Sequence, residues 1–144
     1  MKSLGIAIKK NEIWFAILEG GSKSNAVIIS IVKHSFRAGQ PLPELMLYFY
    51  NLFAEIIEEN NPDKIACKVH LGSKKDQIPY MHYPIGVLAY ICKLKNIPLE
   101  ERTGAWIVGG KKKKINQCMD KFADADLKAE KLAAVLVAWF EYGD

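Results

Sequence analysis

The chain has 144 residues, half of them hydrophobic, with 20 basic against 16 acidic side chains and a formal charge of +4. That length supports one hydrophobic core and excludes two ordinary domains, so a single domain over 1–144 is expected. No apolar run reaches the length of a membrane span, and MKSLGIAIKKNE carries charges where a signal peptide would continue its apolar region, so a cytoplasmic protein without membrane contact is expected.

Residues 3–9 and 13–19 are rich in Ile, Leu, Trp and Phe, and KKNE between them suits a tight turn because Asn tolerates the left-handed backbone. Two antiparallel strands follow from this, and the β-branched run AVIISIVKHSF at 26–36 extends them to a three-stranded meander. Pro41 and Pro43 then introduce a segment with Leu45, Tyr48, Leu52 and Ile56 at helical spacing, which predicts a helix over about 43–60 stopped by Asn60, Asn61 and Pro62. The apolar run KIACKVHL at 64–71 reads as a buried strand, and the helix before it implies a crossover that makes this strand parallel to the first. HYPIGVLAYICKLK at 82–95 reads as a second helix, started near Pro84 and stopped by Asn96 and Pro98, with a short strand at 97–101. Two helices finish the chain, over about 110–122 and 126–142, the last with Asp126 as N-cap and Gly143 as its stop. The order is βββαβαβαα, without internal repeats.

Cys67, Cys92 and Cys118 are odd in number, widely spaced and set in apolar segments, which argues for reduced core thiols rather than a disulfide framework. The positive charge is concentrated. Nine basic residues (Lys74, Lys75, Lys93, Lys95, Arg102 and Lys111 to Lys114) face three acidic ones (Asp76, Glu100, Glu101) between positions 74 and 114, an excess of six, so the remainder is slightly acidic.

Several segments resemble the RuvC-like branch of the ribonuclease H-like superfamily. LGIAIKKNEIWFAILEG is similar to its opening hairpin, which reads LGIDPG followed by an apolar strand ending in Glu; Gly5, Ile6 and Glu19 match. GGKKKKINQCM at 109–119 resembles the start of a late helix of that branch, and KLAAVLVAWF its Ala-rich terminal helix. The resemblance implies a ribonuclease H-like α/β fold, a mixed five-stranded sheet of three antiparallel strands and parallel additions flanked by helices. It also implies carboxylates holding two magnesium ions about 4 Å apart for nucleic-acid cleavage. Matched residue by residue, those ligand positions fall on Ala7, on the strand containing Lys68, and on Lys128 and Lys131, with Asp126 and Glu130 one small shift away. Neither a methyl group nor an ammonium coordinates magnesium. The resemblance therefore implies a degenerate site with no catalytic residue, no metal and no cofactor.

The lysine run after Gly109 and Gly110 suits phosphate contact at a helix N-terminus, or else a solvated helix face. Four cations there oppose the helix dipole and repel one another, which weighs against the second reading. His70 and His82 with Asp76 have no recognised ligand spacing, and His34 reads as structural or exposed. Tyr80, Tyr83, Tyr90 and Trp106 read as packing residues before base-stacking ones, and Trp14 and Trp139 as core. No nucleophile elbow or phosphate-binding P-loop pattern is present. The expected function is non-catalytic binding of DNA, RNA or another polyanion through Lys9, Lys10, Lys68, Lys74, Lys75, Lys111, Lys112, Lys113 and Lys114. Two alternatives stay open: a protein interaction or assembly module, as a homodimer, and a residual metal-dependent nuclease using Glu12, Asp126 and Glu130.

Overall fold

Strand β1 (Lys2–Lys9) alternates large and small side chains, Leu4, Ile6 and Ile8 against Ser3, Gly5 and Ala7, and all six are buried. Because successive side chains point to opposite faces of a sheet, this strand needs cover on both sides and belongs at the centre. The computed structural model, which describes residues 1–69 and 81–144, places it there. The sheet order is β3-β2-β1-β4-β5, with β2 (Glu12–Glu19) and β3 (Val27–Ser35) antiparallel, and β4 (Lys64–Val69) and β5 (Leu99–Thr103) parallel. The meander and the parallel fourth strand are thus as expected; His70 and Leu71, which the sequence adds to that strand, lie outside the described residues.

Helices α1 (Leu42–Asn60) and α2 (Tyr83–Lys95) pack on the large-residue face of β1. Each has proline in its first turn, where the missing N–H has no helical partner to lose, and each ends on a left-handed asparagine, Asn61 or Asn96. Leu45, Phe49, Phe53, Leu88 and Ile91 from these helices meet Leu4, Ile6, Ile8 and Phe15 of the sheet. Fully burying such side chains contributes about 1.5–3 kcal/mol each before chain entropy is charged against it.

The opposite face carries Ala7, Ala16 and Ala66, and it takes helix α4 (Ala129–Trp139) through Ala133, Ala134 and Ala138. Ser3 is fully buried there and donates its hydroxyl to the Ala138 carbonyl at 3.1 Å. A Cβ added to Gly5 would fall 2.9 Å from Ala138 Cβ and collide with the Ala134 carbonyl oxygen. Small residues on both sides let helix and sheet backbones approach this closely. Cys67, Cys92 and Cys118 are all buried and unpaired; burial pushes the Cys67 and Cys118 thiols up to about 12 and Cys92 to about 11, with Glu101 and Cys92 adding to the shift at Cys67.

Four expected boundaries are corrected. The last strand runs over Leu99–Thr103 rather than 97–101. Helix α3 (Gly104–Lys121) starts earlier than 110 because the Thr103 hydroxyl accepts the Trp106 N–H at 3.1 Å, a cap that precedes the glycines. It is broken at 109–112, where Gly110, Lys111 and Lys112 are left-handed. Helix α4 is shorter than 126–142, because Asp126 is not its N-cap but a left-handed residue ending a 3-10 turn over Ala123–Ala125, and Phe140 rather than Gly143 caps the other end. In the first hairpin Lys10, not Asn11, takes the left-handed conformation, while the Asn11 amide and carbonyl both bond the backbone of Phe36 at 2.9 Å.

Candidate functional site

Pleat and register bring the first hairpin and the start of α4 to one end of the sheet, and between them lies a groove of about 490 Å³. Lys9, Lys10, Glu12 and Trp14 line it from the hairpin, and Asp126, Lys128, Ala129, Glu130 and Lys131 from the other side. Glu130 is turned inward in the first turn of α4, where a carboxylate opposes the positive end of the helix dipole. It receives Lys68 from β4, whose Nζ lies 3.2 Å from Oε1 and 3.3 Å from Oε2. This pair is largely buried, with side-chain exposures of 18% and 10%.

The other two groove carboxylates are likewise matched to lysines, Glu12 to Lys33 at 3.9 Å and Asp126 to Lys128 at 3.7 Å, in more exposed positions. Among the described residues, the groove's lining and the ion-pair partners of its carboxylates comprise six lysines (Lys9, Lys10, Lys33, Lys68, Lys128, Lys131) against three carboxylates, a surplus of three positive charges. Lys131 is partly held by the Ala125 carbonyl at 3.1 Å. Among the described residues no group of three His, Cys, Asp or Glu side chains is arranged to hold a metal ion.

Of the residues singled out from the sequence, Lys9, Lys10, Lys128 and Lys131 converge on this groove, and Lys68 supports it through Glu130. Ala7 is fully buried beneath α4, and Lys128, matched to a ligand position, stands exposed at the rim of the groove while Glu130 is the buried member. The tetralysine run does not line the groove: Lys111 and Lys112 form the break in α3, Lys113 is exposed, and Lys114 donates to the Trp106 carbonyl at 3.1 Å and sits 4.7 Å over its ring. Lys74, Lys75, His70, Asp76 and Tyr80 lie outside the described residues.

Trp14, expected in the core, is half-buried: it packs against the cluster under α4 and also lines the groove. The signal was its place two residues after the hairpin and on the same face as Ala16 and Leu18, which run towards α4. Tyr83 and Tyr90, also expected as packing residues, are 39% and 60% exposed and border a second, apolar groove of about 610 Å³ with Met46, Leu47, Tyr50 and Val87.

Strand order, pairing directions and helix placement define a ribonuclease H-like fold. No family model matches the sequence, and no curated protein does. Among solved structures the fold matches RuvC of Thermus thermophilus in complex with a Holliday junction substrate, at 12% identity and a TM-score of 0.77 over 96% of this chain and 90% of that one. A second structure of Thermus thermophilus RuvC matches at 11% identity and 0.76, over 96% and 92% of the two chains. The yeast mitochondrial Holliday junction resolvase Ydc2 matches at 12% identity and 0.64, over 95% of this chain and 74% of that one. Among the described residues no helix is long and apolar enough to cross a membrane.

Proposed function

We propose that this chain binds DNA, RNA or a comparable polyanion in the lysine-rimmed groove, without cleaving it. The observation that carries the reading is the lysine surplus around a groove whose inward carboxylate is engaged by an ammonium. Magnesium needs oxygen donors, and here a methyl group stands at Ala7, while Lys68 is held on Glu130 where a cation would have to sit. The residues present do not fit a magnesium pair. The similar fold of a protein crystallised with a Holliday junction supports nucleic acid as the polyanion. Buried, unpaired cysteines support a reducing compartment, the cytoplasm.

Binding to a fluorescently labelled oligonucleotide should weaken steeply from about 50 to 200 mM salt, because each phosphate contact releases condensed counterions. Changing Lys9, Lys10, Lys128 and Lys131 to Gln should flatten the log–log salt slope by about 3. The same change at Lys111 to Lys114 tests whether that run adds contacts of its own. Absence of binding at the lowest salt would sink the reading, and magnesium-dependent cleavage that disappears in Glu130→Gln would show the site to be catalytic.

A second reading, self-assembly, is favoured by the face of α1 and α2. Helix α2 is apolar around most of its circumference, yet leaves Tyr83, Tyr90 and Leu94 exposed, a pattern expected of a helix covered by a partner. Helix α1 carries Glu44, Glu55, Glu58 and Glu59 and no basic residue, whereas α2 carries Lys93 and Lys95 and no acidic one. Such a face complements a second copy of itself across a two-fold axis. Sedimentation equilibrium should give twice the chain mass, and Tyr90→Asp should return it to the monomer; a monomeric unmodified protein at 100 μM or so would remove this reading.

A further inference from the structure

We infer that the groove takes an unpaired nucleotide of a single strand, its base stacked on Trp14 and its flanking phosphates on Lys9, Lys10, Lys128 and Lys131. This rests on the polyanion reading above and names the form of polyanion. Among the described residues Trp14 is the one aromatic side chain lining the groove, which is otherwise lined by lysines, carboxylates and Ala129. Charge alone does not distinguish a nucleotide with its base from a bare sugar-phosphate chain. An indole set among the cations adds a surface that only a base with a free face can use, which is how single strands are held without sequence preference. In a duplex both faces of each base are already stacked, and a ring recessed between a hairpin and a helix start is out of its reach.

The backbone agrees. Among the described residues, outside the two asparagine caps, the left-handed residues other than glycine are Lys10, Asp126 and Ala129, all lining this groove, and Lys111 and Lys112 in the break of α3. Side chains with a Cβ hold that conformation only at an energetic cost, and such strain concentrates where a ligand is gripped. Lys33 Nζ lies over the Trp14 ring, 5.7 Å from its centre, so a stacked base takes the place of this exposed ammonium, which then turns to a neighbouring phosphate.

The test uses the full chain and three labelled probes of equal phosphate count at low salt: a mixed-sequence single strand, the same strand built of abasic sugars, and a duplex. The unmodified protein should bind the single strand about tenfold more tightly than the abasic strand, the loss expected of one stacked base. Trp14→Ala should lose about the same factor for the single strand alone, with an unchanged salt slope, and Trp14→Phe should recover part of it. If the abasic strand and the duplex bind as tightly as the single strand, stacking is refuted while the polyanion reading stands. If no probe binds, both fall. The abasic comparison needs no variant, so a poorly folding Trp14→Ala leaves the inference open to refutation.

Discussion

Gly5→Ala should destabilise this protein by about 3 kcal/mol or more, although it adds a single methyl group. The new Cβ would collide with the carbonyl oxygen of Ala134 and crowd Ala138 Cβ, and neither is the free end of a flexible side chain. Relief requires α4 to lift from β1, which disrupts the alanine seam and the Ser3 hydroxyl bond to the Ala138 carbonyl. Overpacking in a well-packed core costs about 1–3 kcal/mol and more where backbone must move. Gly86 on α2 is the control, since a Cβ there meets open space, and Gly86→Ala should stabilise by about 0.5–1 kcal/mol through helix propensity. Urea titrations read both, as a midpoint shift at constant slope. A Gly5→Ala loss below about 1 kcal/mol would mean that the seam is looser than described.

The second large effect is expected at the ion pair. Glu130→Ala should cost about 3 kcal/mol, because it leaves the Lys68 ammonium mostly buried without its counter-charge. The penalty belongs to the orphaned charge more than to the lost attraction. Replacing both partners with apolar residues of similar size, Lys68→Met with Glu130→Leu, should therefore recover most of the stability, as it does where buried pairs give way to packed side chains. The residual exposure of both groups places the single-variant cost at the low end of the usual range. A double variant as unstable as Glu130→Ala would show that the pair contributes a net attraction beyond its desolvation.

The fold was legible because its signals are local and repeated. Alternation in β1, the proline starts and asparagine stops of α1 and α2, and the crossover length leading to β4 each follow from short stretches of chain. The site was less legible because it depends on which way individual side chains turn at element ends. Lys128 and Glu130 are two residues apart, and only the onset of α4 at Ala129, set by a left-handed Asp126 that the N-cap reading of that residue did not anticipate, decides which points inward. Trp14 was legible only in part: it packs against the core as its composition suggests, but at a strand end beside a lysine hairpin, where the core stops, it also faces the groove. The tetralysine run was the most visible charge feature of the sequence, yet it lies apart from the groove.

The two faces of the sheet differ in how much history they can record. Against α1 and α2, branched and aromatic side chains fill a thick layer where one bulky residue can replace another with modest adjustment. Against α4, Ser3, Gly5 and Ala7 meet Ala134 and Ala138 at backbone distance, and almost any enlargement is excluded. Tolerance to substitution is therefore expected to be one-sided, generous under α1 and α2 and narrow under α4.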